Sequence, residues 1–281
     1  MPRRTLVSTA ELAAHLAHWR VFDCRHDLVN PAIGAEQYAH SHLPGAAFAS
    51  VDRDLSSAKT GSNGRHPLAT PDAFCAWLGR QGVKRTDTIV CYDQSGGTYS
   101  SRLWWMLRWI GHDDVAVLDG GFPKWVKEGR PVTTDVPAFA ATTYSGQPDD
   151  SMHVSAAWIE ARIGKPELAI LDARTAQRYA GIGETIDPIG GHIPGALNRF
   201  YMENVGADGC LKPAAELREA FTKLLGSTPP SSLVQQCGSG VSACVNILAM
   251  EHAGLHGSKL YPGSWSEWCA NPARPMVLKG A

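Results

Sequence analysis

Short apolar runs alternate with longer amphipathic stretches along the whole chain. The runs that predict strands are residues 21–22, 88–92 and 115–118 in the first half, and 170–171, 233–235 and 259–261 in the second. Helical patterns lie between them, for example at residues 71–78, with Thr70 as the cap, and at 101–110. Short apolar strands that alternate with helices are typical of parallel sheets covered on both faces. The pattern predicts an α/β fold.

The same block of motifs occurs twice in the chain. Residues 23–25 read Asp-Cys-Arg and are followed by His-Leu-Pro-Gly-Ala at 42–46. About 150 positions later, 172–174 read Asp-Ala-Arg, with His-Ile-Pro-Gly-Ala at 192–196. We therefore predict two homologous domains, each a mostly parallel sheet with helices on both faces. Their expected limits are 1–132 and 154–281, with a linker at 133–153 that is rich in Pro, Thr, Ala and Gly.

Composition and charge narrow the classes of partner. Hydrophobic residues make up 44% of the 281 residues, which is enough for a sizeable core. The 26 basic and 27 acidic side chains give a net charge of −1, so we expect neither nucleic acid nor an anionic membrane as a partner. No apolar run approaches the ~18 residues that span a bilayer. Met1-Pro2-Arg3-Arg4 is followed by no apolar stretch, so we expect no signal peptide.

Cysteine usage favours a reducing compartment. The chain has seven cysteines, an odd number, and no Cys-x-x-Cys. Reduced thiols in the cytoplasm are therefore the simpler interpretation. The cysteines and histidines are not clustered at metal-binding spacings, so we expect no metal ion and no cofactor.

One cysteine stands at a position typical of chemistry. Cys237 follows the predicted strand 233–235 and precedes Gly-Ser-Gly-Val-Ser and a helix. In an open α/β sheet, ligands bind beyond the carboxyl ends of the strands. Further along the chain, the pairs Gly111/Gly254, Gly120/Gly263 and Trp125/Trp268 repeat at an offset of 143. This offset places Gln94, with Asp93 beside it, at the equivalent point of the first half. One copy has kept a nucleophile, and the other has none.

The residues around Cys237 explain why a thiol there would be reactive. Two glycines let successive backbone N–H groups turn toward one point and form an anion-binding nest. The following helix adds the positive end of its dipole. The amides of 238–242 should therefore hold the sulfur as a nucleophilic thiolate.

These motifs together resemble one known family. The paired Asp-x-Arg and His-x-Pro-Gly-Ala blocks, the Cys237 loop and Tyr-Pro-Gly-Ser-Trp-Ser-Glu-Trp at 261–268 are similar to the two-domain rhodanese-like sulfurtransferases. The resemblance covers essentially the whole chain. It implies tandem duplicated rhodanese-like domains, of which the first lacks the catalytic cysteine, and a sulfur atom carried on Cys237.

Within that family, the loop resembles that of the 3-mercaptopyruvate sulfurtransferases. Thiosulfate sulfurtransferases usually carry Arg and Lys directly after the cysteine, where this chain has Gly238 and Ser239. A neutral loop suits a monoanionic donor better than the thiosulfate dianion. The resemblance also makes Arg178 the first of two expected substrate arginines, while residues 184–188 hold no counterpart of the second. The substrate-binding set implied is Arg178, Gly238, Gly240, Val241 and Ser242.

The resemblance further implies a relay of three side chains. Ser239 would contact His66 and Asp54, both from the first half of the chain, so the site would lie at the domain interface. The alternative for His66 is an ordinary loop histidine, and for Asp54 a turn cap.

The implied reaction moves sulfur in two steps. Cys237 would take sulfur from a small anionic donor, 3-mercaptopyruvate being favoured, and pass it to cyanide, thioredoxin or a low-molecular-weight thiol. A thiosulfate:cyanide sulfurtransferase is the alternative, and a non-enzymatic persulfide carrier or thiol sensor is a third. A phosphatase of the related loop type would need arginine at Ala243 and is disfavoured.

Overall fold

A computed structural model of the chain describes residues 5–278. The basic residues 1–4, which entered the expectation about a signal peptide, lie outside this range. The described chain divides into two compact units. The first comprises the residues through Ser57, Ala69–Asp149 and Val205–Leu211, and the second comprises Ala58–Leu68, Asp150–Asn204 and the residues from Lys212 onward. The units therefore differ from contiguous halves by two short segments, and the domain limits given above stay a prediction.

The first unit contains a five-stranded parallel sheet in the order β1-β5-β4-β2-β3. Its strands are β1 (Leu6–Val7), β2 (Arg20–Asp23), β3 (Ala46–Phe48), β4 (Ile89–Tyr92) and β5 (Val115–Leu118). Its helices are α1 (Thr9–His15), α2 (Ala32–His40), α3 (Pro71–Arg80), α4 (Ser100–Trp109) and α5 (Gly121–Lys127). The Thr70 hydroxyl accepts a hydrogen bond from the Ala73 amide, so α3 begins where the sequence predicts.

The second unit repeats this arrangement in a four-stranded parallel sheet with the order β7-β6-β8-β9. Its strands are β6 (Ala169–Asp172), β7 (Leu197–Asn198), β8 (Leu233–Gln236) and β9 (Lys259–Leu260). Its helices are α6 (Ala156–Glu160), α7 (Ala176–Tyr179), α8 (Ala214–Leu225), α9 (Ala243–His252) and α10 (Ser264–Trp268). A single parallel bridge from His153 to Leu260 stands where β1 pairs with β5 in the first unit.

The α/β prediction with parallel sheets is confirmed. Every residue of β4, β5 and β8 is buried, as expected for strands whose two faces are both covered. The six predicted strands correspond to β2, β4, β5, β6, β8 and β9. The sequence did not predict β1, β3 and β7, which are two or three residues long and lie at sheet edges.

Each unit has its own apolar core. In the first unit, Trp125 packs with strand residues such as Val21 and Val90. In the second, Trp265 and Trp268 are fully buried in a cluster built around β6 and β8. The tryptophans at the repeated positions 125 and 268 are therefore core residues, and they hold the same place in the two copies.

Strand register fixes which residues of the two units are equivalent. Asp23 of β2 lies beside Tyr92 of β4, and Asp172 of β6 lies beside Gln236 of β8. The two aspartates belong to the repeated Asp-x-Arg blocks, so Tyr92 and Gln236 are counterparts.

The residue after each central strand is therefore Asp93 in the first unit and Cys237 in the second. The sequence offset pointed to Gln94 instead. It was wrong by one position because the loop from β4 to α4 is one residue longer than the loop from β8 to α9.

None of the helices within residues 5–278 is long and apolar enough to cross a lipid bilayer.

Candidate active site

Backbone hydrogen bonds hold Cys237 in place at the carboxyl end of β8. Its amide donates to the Ser264 hydroxyl over 3.1 Å, and its carbonyl accepts from the Trp265 amide over 3.0 Å. The next carbonyl, that of Gly238, accepts from the Ser266 amide over 2.9 Å. The side chain of Cys237 is buried, with 1% of the residue exposed. The thiol is thus positioned by α10, an element nearly thirty positions later in the chain.

One position of the loop after Cys237 can be occupied only by glycine. Gly240 has a φ of +73°, and a Cβ there would lie 2.2 Å from the carbonyl oxygen of Pro262. Both the left-handed backbone and the close approach exclude a side chain. Loop residues 237–241 are buried and Ser242 is half-buried, directly before α9. This helix adds the positive end of its dipole to the loop.

The equivalent loop of the first unit shows what this geometry binds. The Asp93 carboxylate accepts five hydrogen bonds there, four from backbone amides and one from a hydroxyl. The donors are the amides of Ser95, Gly97, Tyr99 and Ser100, and the Ser100 hydroxyl. A strand–loop–helix junction of this kind is therefore an anion-binding nest in this chain. The second unit has a sulfur in place of that carboxylate.

Ser239 and His66 meet in the second unit. The Ser239 hydroxyl lies 2.8 Å from Nδ1 of His66, and both residues are buried. His66 belongs to segment Ala58–Leu68, which comes from the first half of the sequence but forms part of the compact unit that carries Cys237. The contact implied by the family resemblance is present, while the catalytic role of the two residues stays a prediction.

Asp54 holds its own turn. Its carboxylate accepts from the Ser50 amide over 2.9 Å and pairs with the Arg53 guanidinium at 2.7 Å. These bonds are those of a turn cap, the alternative weighed above. Asp54 lies in the first unit, and its place in a relay stays a prediction.

Arg178 is paired with two carboxylates. Its Nε donates to Glu184 over 2.9 Å, and its Nη2 donates to Glu184 over 3.1 Å and to Asp187 over 2.8 Å. A Cβ placed on Gly238 would lie 3.4 Å from its Nη1. The guanidinium therefore lies beside the residue that follows Cys237, and its role in binding a donor stays a prediction.

The sequence reasoning missed Arg65. Its Nη1 donates to Asp187, and a Cβ on Gly238 would lie 2.5 Å from its Nη2. Its backbone amide donates to the Ser266 hydroxyl over 3.0 Å, which ties its segment to α10. Its place directly before His66 was the one signal in the sequence.

The pKa values of the two carboxylates in this cluster are shifted in opposite directions. Burial raises the pKa of Asp187, although Arg65 and Arg178 both act to lower it. The pKa of Glu184 is lowered, because hydrogen bonds from Arg178 and two backbone amides outweigh its burial. Asp187 is therefore the less firmly ionised of the pair.

All seven cysteines lie within the described residues, and all are free thiols. Among the described residues of the second unit alone, no three His, Cys, Asp or Glu side chains converge closely enough to hold a metal ion. The expectations of no metal and no cofactor stay predictions.

The fold and the site define a duplicated α/β protein in which one copy presents a buried cysteine in an anion-binding loop. Comparisons with known proteins agree with this class. The model of the family described as "Rhodanese-like domain" matches residues 8–128 and 155–271. A probable 3-mercaptopyruvate sulfurtransferase of Pseudomonas aeruginosa is 41% identical over 281 residues, covering 99% of each chain.

Two further relatives give the same result. A thiosulfate sulfurtransferase of Gallus gallus is 33% identical over 238 residues, covering 83% of this chain and 80% of its own. The solved structure of a 3-mercaptopyruvate sulfurtransferase from Leishmania major is 34% identical, with a TM-score of 0.86 over 95% of this chain and 75% of its own. The chain belongs to the rhodanese-like family, with two such domains, and it is a sulfurtransferase. The fold, family and enzyme class predicted from the sequence are confirmed.

Proposed function

We propose that the chain takes sulfur from 3-mercaptopyruvate, carries it as a persulfide on Cys237 and passes it to a thiol. The observation that carries the proposal is the position of Cys237 in a loop whose counterpart binds a carboxylate through five donors. A persulfide anion in such a loop would be stabilised by fixed amides that need no reorganisation.

The proposed reaction forms a Cys237 persulfide and releases pyruvate. The Cys237 thiolate attacks the sulfur of the donor, an S–S bond forms, and the C–S bond breaks with its electron pair going to pyruvate enolate. The enolate carbon takes up a proton, and the persulfide loses one. An acceptor thiolate or cyanide then attacks the outer sulfur and restores the Cys237 thiolate. Because the first product leaves before the acceptor reacts, we expect ping-pong kinetics.

Local charge supports a monoanionic donor. The loop residues Gly238 and Ser239 carry no charge, and the guanidiniums of Arg65 and Arg178 are neutralised by two carboxylates. A dianion such as thiosulfate would meet both carboxylates without a surplus of cations. The relatives named above include enzymes named for either donor, so thiosulfate is the alternative.

The donor assignment is tested by kcat/KM with each donor and cyanide as the acceptor. We expect mercaptopyruvate to be preferred by about tenfold or more, which is about 1.4 kcal/mol of transition-state discrimination. The Cys237→Ser protein supplies the background rate for both donors. A tenfold preference for thiosulfate would reverse the assignment.

We expect the contribution of Ser239 to differ between the two donors, because only one of them needs a proton for the release of its product. Release of pyruvate requires a proton, whereas release of sulfite from thiosulfate requires none. The Ser239 hydroxyl, bonded to His66, is a proton relay within the loop. We expect Ser239→Ala to lower kcat with mercaptopyruvate about 100-fold and kcat with thiosulfate by less than about threefold.

The matched control is Ser227→Ala, at an exposed position of the same unit, which should change neither rate. Equal losses with the two donors after Ser239→Ala would show that Ser239 only supports the loop.

The acceptor and the compartment complete the proposal. Thioredoxin or a small thiol is the acceptor we propose, in the cytoplasm, where the seven free thiols would stay reduced. A non-enzymatic persulfide carrier would take up one sulfur and release none to these acceptors. Repeated turnover with a reduced thiol therefore separates the enzyme from the carrier.

A further inference from the structure

Two guanidinium groups lie beside the residue that follows the nucleophile. A Cβ on Gly238 would lie 2.5 Å from Nη2 of Arg65, and 3.4 and 3.6 Å from the two Nη atoms of Arg178. The arginines come from segments more than a hundred residues apart. Their side chains are 23% and 21% exposed, so both are partly accessible to solvent.

A carboxylate of the chain itself occupies the space between these cations. One oxygen of Asp187 accepts from Arg65 and the other accepts from Arg178. The Asp187 side chain is only 2% exposed. Guanidinium N–H groups bind carboxylate oxygens through short, charge-assisted hydrogen bonds, so the two arginines together form a site that a carboxylate fits.

The cluster also has more N–H donors than acceptors. Nε of Arg65 and Nη1 of Arg174 are buried and have no hydrogen-bond partner. The Arg174 side chain is 2% exposed, and Glu184 lies 3.9 Å from its Nη1. Buried unpaired donors cost free energy, which a ligand with more acceptor atoms than the Asp187 carboxylate would recover.

We propose that Arg65 and Arg178 form the anion subsite of the donor pocket, and that Asp187 is a resident carboxylate which the donor's anionic group displaces. This role deepens the sulfur transfer proposed above and rests on it. Arg65 supplies the second cation that residues 184–188 lack. Asp187 thereby sets donor specificity, because a donor binds only if its anion competes with a carboxylate already present.

Charge sets the direction of this selection. Once displaced, Asp187 remains near the subsite, because it belongs to the chain segment beside it. Glu184 keeps its two hydrogen bonds from Arg178. A dianion is repelled by these carboxylates more strongly than a monoanion. The burial that raises the pKa of Asp187 also weakens its hold on the site, which makes displacement possible.

Anion binding to the inert Cys237→Ser protein tests the subsite without turnover. Titration calorimetry with thiosulfate and with pyruvate gives Kd for a dianion and a monoanion. We expect Asp187→Asn in this background to lower Kd for thiosulfate about tenfold and Kd for pyruvate about threefold. The control Asp150→Asn removes the same charge from a side chain that is 88% exposed and should change neither Kd. Unchanged Kd values after Asp187→Asn would overturn the proposal.

Arg65 gives a second arm that does not depend on how Asp187→Asn folds. We expect Arg65→Gln to raise Kd for pyruvate, and KM for mercaptopyruvate, about tenfold while kcat changes less than about threefold. Arg65→Lys should recover part of the loss, because it keeps the charge without the fork. An unchanged KM in Arg65→Gln would overturn the assignment of Arg65.

Failure of the sulfur transfer and failure of the anion subsite give different results. If no donor transfers sulfur to Cys237 in the wild-type protein, the proposed function is wrong, whatever the Kd values are. If Cys237 takes up sulfur but neither the Asp187 nor the Arg65 variants alter anion binding, only the subsite is wrong.

Discussion

Replacement of Cys237 by serine is expected to abolish sulfur transfer, with a loss in kcat/KM of about 10⁴-fold or more for every donor. A serine hydroxyl is not ionised near neutral pH and cannot take up a sulfane sulfur. Serine has almost the shape of cysteine, and the bonds that hold residue 237 to Ser264 and Trp265 use only its backbone. The melting temperature should therefore stay within about 2 °C of the wild-type value.

Cys210→Ser is the matched control for this experiment. Cys210 is half-buried in the first unit, and burial raises the pKa of its thiol to about 11, so it stays protonated at neutral pH. Its replacement should leave turnover unchanged. Turnover above about 1% of the wild-type rate in Cys237→Ser would remove this residue from the mechanism.

Replacement of Arg178 by glutamine has the second largest expected effect. A paired bond from a guanidinium to the donor carboxylate stabilises the bound donor by about 2–3 kcal/mol, so kcat/KM for mercaptopyruvate should fall about 100-fold, mainly through KM. Arg178→Lys should restore about a tenth of the lost activity, because lysine keeps the positive charge but not the two parallel N–H donors of a guanidinium. Initial-rate kinetics over a range of donor concentrations separate KM from kcat.

Arg162→Gln controls for the loss of an arginine in the same unit. The Arg162 guanidinium packs over the Trp158 ring and donates to the Trp158 carbonyl, and it has no part in the proposed site. Kinetic constants equal to those of the wild-type protein are expected for it. If Arg178→Gln lowered kcat and left KM unchanged, Arg178 would not bind the donor's carboxylate.

The loop of the first unit explains why we expect no sulfur transfer there. Asp93 stands where the second unit has Cys237, and its carboxylate takes up five donors of the nest. No thiol is present there, and the amides that would hold a transferred sulfur already bind an internal anion. The duplication has thus produced two anion-binding loops, one of which binds a side chain of its own.

Much of the fold could be predicted from the sequence, and the limits have physical causes. The six predicted strands each contain a short apolar run, and every residue of β4, β5 and β8 is buried because both sheet faces are covered, so these strands stand out in the pattern. The edge strands β1, β3 and β7 are too short to show a period. The sequence offset aligned Gln94 instead of Asp93 with Cys237, because a fixed offset does not account for a one-residue difference in loop length.

The candidate site also contains some residues that the sequence predicts and others that it does not. Cys237 and its glycine loop are local in sequence and could be recognised from their position after a strand. Arg65 and Asp187 could not, because their ion pair joins residues 122 positions apart and neither residue carries a local motif. Ionic contacts of this kind depend on the tertiary fold, which brings segment Ala58–Leu68 into the unit that carries Cys237.

The central claim is that Cys237 accepts and carries a sulfur atom, and mass spectrometry measures this directly. The protein is incubated with 3-mercaptopyruvate without an acceptor, and its intact mass and peptide masses are determined. The account predicts a gain of about 32 Da, located on the peptide that contains Cys237 and lost when cyanide or a thiol is added. An unchanged mass, or sulfur found on another cysteine while Cys237 stays unmodified, would contradict it.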